Sequence, residues 1–114
     1  MPFLRIETNV PLTAERAEPL LAAATDAVST GLGKPERYVM IALEQNARLM
    51  FAGSTEPAAM LELSGIDLKA EQAPPLAASL CSLMHVQAQV AEDRVFIIFT
   101  SVERQMWGWN TRTF

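Results

Sequence analysis

The chain has 114 residues, half of them apolar, and a formal net charge of −4. That length supports one modest domain with a true core, and the apolar share lies far above the disordered range. The acidic balance, with Lys34 and Lys69 as the only lysines, excludes nucleic acid and anionic membrane surfaces as default partners.

"MPFLRI" opens the chain. As an internal residue, Pro2 would begin a strand without donating to its ladder. With Met1 removed, which a small second residue permits, the ring nitrogen becomes a free secondary amine. An α-amino group titrates near about 8. Burial or a neighbouring cation lowers that value and brings the amine toward the range where a general base works at neutral pH. The opening lacks the charged, long apolar and cleavage-site pattern of a signal peptide, so none is expected, and no apolar run approaches the roughly 20 residues of a membrane span. The expectation is a soluble, cytoplasmic protein.

A first helix is predicted from about Ala14 to Leu32. Leu21, Ala24, Val28 and Leu32 recur at helical spacing. Glu15 and Glu18 favour its start. Pro19 is awkward in a helix interior, so the regular part is placed from there onward. Gly31 and Gly33 end it. A second helix is predicted from about Leu76 to Gln89, after "APP", with Leu76, Leu80, Leu83, Met84 and Gln87 on one face. Cys81 lies in it; a lone thiol forms no internal disulfide, is read as packing, and fits a reducing compartment.

The two halves look alike. "PERYVMIAL" from Pro35 matches "EDRVFIIFT" from Glu92, and "FLRIETNV" from Phe3 matches "MLELSGI" from Met60. Tyr38 falls against Val95 and Phe3 against Met60, an offset of 57 residues (95 − 38 and 60 − 3), half of 114. The chain therefore reads strand, helix, strand, twice over, with "GSTEP" as the turn between halves (about 1–57 and 58–114) of one domain. The fold class is α/β: two β-α-β repeats forming a four-stranded mixed sheet, with both helices on one face. "MWGWNTRTF" remains as a tail.

"RVFIIFT" is apolar on both sides: Val95, Ile97 and Phe99 on one, Phe96 and Ile98 on the other. "YVMIAL" is similar. Continuous apolar runs predict strands covered on both faces, yet the two helices belong on one face. A second copy of the chain is the simplest cover. Arg5, Glu7 and Glu62 alternate with apolar residues, which places their strands outermost, with one side polar.

Other chemistry is thin. His85, the only histidine, has no Cys, Asp or Glu at metal spacing and is read as a surface or structural residue. No Cys/His cluster suggests zinc, no Gly-rich phosphate cradle occurs, and no Ser or Thr has a histidine base beside it. The amine of Pro2 remains.

Five ordered blocks carry a resemblance: "MPFLRIETNVP", "GKPERYVMI" from Gly33, "GSTEPAAMLELSGI" from Gly53, "DRVFIIF" from Asp93 and "WGWNTRTF" at the end. Together they resemble the macrophage migration inhibitory factor family of the tautomerase superfamily over almost the whole length. The resemblance implies a homotrimer whose sheets enclose a central barrel. It implies cofactor-independent, metal-free keto–enol tautomerisation of small aromatic α-keto acids such as phenylpyruvate, or of dopachrome-like compounds. Pro2 matches the catalytic proline, and Lys34 the pocket lysine that meets the substrate's oxygens. Ile66 matches a backbone N–H donor to the ligand. Tyr38, Trp109 and Phe114 match aromatic walls.

Departures are also visible. Phe96 and Ile98 stand where animal members have tyrosine and asparagine lining the pocket from the neighbouring subunit. Ser64 and Gly65 replace a histidine–serine pair, and Trp107 replaces a valine. A Cys-x-x-Cys of some animal members is absent, with "PAAML" in its place. Two further readings stay open at this point: a cytokine-like or other binding protein on the same trimeric fold, and a generic ferredoxin-like binding module.

Overall fold

The computed structural model describes all residues, Met1–Phe114. The first strand, β1, runs Phe3–Thr8, followed by helix α1 (Ala14–Leu32), a 3-10 turn at Glu36–Tyr38 and strand β2 (Met40–Glu44). The second half repeats the pattern with β3 (Ala59–Ile66), α2 (Ala73–Ala88), a 3-10 turn at Glu92–Arg94 and β4 (Val95–Val102). The tail is not loose: β5 (Gly108–Trp109) and β6 (Arg112–Thr113) pair as a small antiparallel hairpin.

The four long strands form one sheet in the order β2-β1-β3-β4. Each half contributes a parallel pair, and the halves join antiparallel through β1 and β3, with Phe3 opposite Ser64 and Arg5 opposite Glu62. This is the mixed sheet that the doubled pattern predicts. The residues placed outermost lie elsewhere: Arg5, Glu7 and Glu62 occupy the two central strands, and the apolar runs form the edges. Central strands tolerate charge on one face because opposite charges meet across the strands, as in the Arg5–Glu62 register and the Arg5–Glu44 ion pair at 3.8 Å.

Alternation decides the two faces. Leu4, Ile6, Leu61, Leu63 and Val95 point to the helices and join Leu20, Ala24 and Val28 of α1 and Leu76, Leu80 and Met84 of α2 in one buried cluster of 15 residues. The other face carries no helix. There Phe96 and Ile98 are 60% and 55% exposed.

α1 spans the predicted Ala14–Leu32 but is regular from its first turn rather than from Pro19, and α2 starts three residues before the predicted Leu76. The Thr13 carbonyl accepts bonds from the Arg16 and Ala17 N–H groups at 3.0 and 2.8 Å, so the first turn of α1 forms before Pro19. An exposed proline in the second turn removes one backbone bond without breaking the helix. Leu20, rather than Leu21, is the fully buried member of that face, because proline-proximal residues still follow the 3.6 period back from Val28 and Ala24. In α2 the prolines of "APP" form the first turn, where their missing N–H groups have no helical partner anyway. Gln89 caps that helix in a left-handed conformation (φ 55°), and Ala88, not Gln87, completes the buried face. His85 is exposed. No helix is long and apolar enough to cross a membrane.

The end of α1 is set by its glycines. Gly33 adopts φ 64°, its N–H bonds to the Thr30 carbonyl and the Lys34 N–H bonds to the Ser29 carbonyl at 3.0 Å. This paired C-terminal motif fixes where Lys34 leaves the helix. Two residues earlier, a Cβ on Gly31 would run into the buried Leu76 side chain of α2. Gly31→Ala is therefore expected to destabilise the chain by about 1–2 kcal/mol, overpacking outweighing alanine's helix propensity. Urea unfolding would measure the loss; an unchanged midpoint would mean that the helices separate freely at that contact.

Candidate active site

Two cavities meet at the start of β1. Met1 and Pro2 line both. The smaller, about 290 Å³, is walled by Lys34 from the end of α1, by Gly65, Ile66 and Asp67 from the end of β3, and by Lys69 and Gln72 beyond it. The larger, about 590 Å³, is walled by Tyr38, Trp107, Trp109 and Phe114, with Arg37 and Met106 at its margin.

Local rules explain each placement. Pro2 is fully buried, and its carbonyl accepts the Met40 N–H at 3.0 Å, which pins the chain start between β2 and β3. The antiparallel register sets Ser64 opposite Phe3, so Ser64, Gly65 and Ile66 flank the same end of β1. Ser64 lines the larger cavity, Gly65 and Ile66 the smaller. The aromatic wall is built by the tail hairpin. Trp109 and Phe114 stack 4° from parallel with centroids 5.7 Å apart, and Tyr38 presents its ring near-perpendicular to both, at 5.6 and 6.3 Å. The Phe114 N–H bonds to the Trp107 carbonyl at 3.2 Å and closes the hairpin's outer end.

The Met1 amino group lies at this junction, and its pKa is held below the ordinary amine value. Burial is the main cause, followed by the positive charges of Lys34 and Arg104. Arg104 leans toward Asp67 of the smaller cavity, with N and O 4.0 Å apart. An amine so placed sheds its proton more readily, beside cations that favour negative charge on a neighbouring ligand.

Most sequence-derived candidates thus converge: Pro2, Lys34, Tyr38, Ser64, Gly65, Ile66, Trp107, Trp109 and Phe114 all line one or both cavities. Phe96 and Ile98 do not. They sit on β4 opposite Met60 and Glu62, toward the other end of the open face. Phe96 instead packs against Phe51 with centroids 4.6 Å apart. Sequence reasoning passed over Arg37 and Arg104. Arg37 was visible only as part of a repeated "ER/DR" pattern, and nothing in the sequence brings Arg104 to the chain start.

The two helices on a four-stranded mixed sheet of doubled β-α-β pattern match the tautomerase superfamily fold of solved relatives. The family model described as macrophage migration inhibitory factor (MIF) matches residues 1–114. The chain is similar in structure to a macrophage migration inhibitory factor homologue from Prochlorococcus marinus (TM-score 0.93, 32% identity, 98% of each chain covered). It is similar to macrophage migration inhibitory factor from Toxoplasma gondii as well (TM-score 0.94, 29% identity, 98% of this chain and 99% of that one). In sequence it is 33% identical over 113 residues to D-dopachrome decarboxylase of Gallus gallus, covering 96% of this chain and 94% of that protein. The chain belongs to the macrophage migration inhibitory factor family. Membership supports an isomerase-type, tautomerase activity or a cytokine-like function.

One strained turn holds the aromatic wall. Asn110 and Thr111 both have positive φ, 52° and 68°. Asparagine tolerates this; β-branched threonine does not. Thr111→Gly is expected to stabilise the protein by up to about 1 kcal/mol by relieving that strain. A thermal melt followed by tryptophan fluorescence would read it, and a lowered midpoint would show that the threonine side chain contributes more than its backbone strain costs.

Proposed function

We propose that residues 1–114 act as one tautomerase domain that interconverts keto and enol forms of small aromatic α-keto acids of the phenylpyruvate or dopachrome type. Pro2, freed by removal of Met1, is the proton carrier. The observation that carries the reading is the shared position of Met1 and Pro2 in the walls of both a lysine-bearing cavity and an aromatic one.

The steps need no cofactor. The neutral Pro2 nitrogen takes a proton from the carbon next to the keto group, and the electron pair moves onto the oxygen as an enolate. Lys34 and the Ile66 N–H receive that charge. The protonated nitrogen then returns its proton to oxygen, giving the enol; the reverse sequence gives the ketone. Tyr38, Trp109 and Phe114 hold the flat ring. With Met1 attached, the Pro2 nitrogen is an amide and carries no proton. With Met1 gone, the new terminus is Pro2, which is buried and lines the same cavity as Lys34, a setting that disfavours its protonated form.

A homotrimer belongs to the same reading. The uncovered face exposes Phe96 and Ile98, and a neighbouring copy would bury them and bring them to the site. Monomeric behaviour at micromolar concentration in sedimentation would overturn the trimer.

The test of the base pairs intact mass with phenylpyruvate ketonisation on one sample. A Met1-free sample should turn over, and Pro2→Gly should lower kcat/KM by about 100-fold or more. A Met1-free sample without turnover overturns the prolyl base and favours the cytokine-like or binding role. The pH profile adds a signed test. Positive charge on Lys34 disfavours the protonated amine, so the active neutral form persists to lower pH. Lys34→Ala should move the acid limb of kcat/KM to higher pH while also costing about 100-fold through lost enolate stabilisation. An unmoved limb would show that Lys34 does not act on the base.

A further inference from the structure

Arg37 lines the aromatic cavity, its guanidinium carbon 4.8 Å from the centre of the Tyr38 ring. It makes no ion pair and no side-chain hydrogen bond within the chain, and it is exposed. Its counterpart in the second half, 57 residues on, is Arg94 (94 − 37). Both arginines sit in the 3-10 turn that leads into a parallel strand.

The two copies show different uses of one position. Arg94 is saturated. It donates to the carbonyls of Pro57 (2.8 Å), Phe51 (3.2 Å), Ser54 and Glu56 (3.1 Å each), and covers the Phe51 ring at 5.2 Å. That is an arginine used to hold a loop. Arg37 keeps the contact with an aromatic ring and none of the donors' partners. Its planar fork, matched to a carboxylate, is left without a partner on a cavity whose other walls are mostly apolar and include Tyr38, Trp107, Trp109 and Phe114.

Positive charge thus lines both cavities. Lys34 stands in the smaller cavity and Arg37 in the larger, with Pro2 in the walls of each. A mono-anionic keto acid uses the first cation and leaves the second unmatched. A second carboxylate on the far side of the ring would match it.

We infer that Arg37 is a second anion-binding residue, and that the preferred substrate is a ring-bearing α-keto acid carrying a further carboxylate at the end of the ring away from the keto group. The substrate part rests on the tautomerase reading; the anion-binding part does not.

The experiment compares two matched pairs on the Met1-free protein. Phenylpyruvate and its 4-carboxy derivative are turned over; cinnamate and 4-carboxycinnamate are bound without reacting. The 4-carboxy substrate is expected to have a kcat/KM about tenfold higher, the size of one charge-assisted hydrogen bond at a half-open site. In Arg37→Gln the ratio should fall to about one, and in Arg37→Lys it should be intermediate, since lysine keeps the charge and loses the fork. A ratio near one in the native protein, or a preference that survives Arg37→Gln, overturns the inference. If neither substrate reacts, the prolyl-base reading fails separately and the binding pair decides. Tighter binding of 4-carboxycinnamate that Arg37→Gln abolishes upholds Arg37 as the anion site; equal binding of the two acids removes it.

Discussion

A chain start normally frays, because nothing ties it down. Here it leads directly into a central strand. Leu4 and Ile6 are fully buried beneath the helices, Phe3 has partners on both sides, and the Pro2 carbonyl is held by the Met40 N–H. Proline fits this position because it has no N–H of its own to leave unpaired at a buried strand end. The ladder is therefore complete without the residue-2 nitrogen, which stays in the cavity walls with no main-chain duty. Every other element of the site is positioned relative to it. The α1 crossover returns Lys34, the antiparallel β3 returns Ile66, and the turn before β2 returns Tyr38.

The electrostatics follow from the same placement. Partial burial alone makes an amine a weaker cation, and two further positive groups add to it in a region of reduced dielectric. The arrangement serves two ends at once, since charges that expel a proton from the amine also attract an anionic ligand. The exposed Arg104–Asp67 contact at 4.0 Å adds little stability by itself. What matters is that the Arg104 charge reaches the Met1 amine.

Much of the architecture was legible in the sequence because the sequence repeats. The matched runs at Phe3 and Met60, and at Tyr38 and Val95, fall in β1, β3 and the lead into β2 and β4. Strand order was less legible. Continuous apolar runs ordinarily mark strands enclosed on both faces, yet in this chain they are the edges, and their second faces, with Phe96 and Ile98, are bare. Hydropathy records that a face wants cover, not whether the same chain supplies it. The site was read through Pro2 and through blocks resembling a family. Arg37 and Arg104 escaped, since an arginine in a polar turn has no periodic signature and only the fold places it against a cavity.

The repeat also shows why the candidate site lies at one end of the sheet. Adding 57 to each site residue gives its counterpart: Ala59 for Pro2, Ala91 for Lys34, Arg94 for Arg37. Ala59 follows Ala58 in a continuous buried backbone, and the Ala58 N–H and carbonyl are bound by the Asn9 and Thr8 side chains. No amine can arise there. Ala91 supplies no cation, and Arg94 spends its donors on the 51–57 loop. In one half of a near-symmetric frame the arginine is thus tied to the connection between halves. The other half keeps a strand start, a lysine and an uncommitted arginine, and the asymmetry of the site comes from that single difference in how the backbone continues.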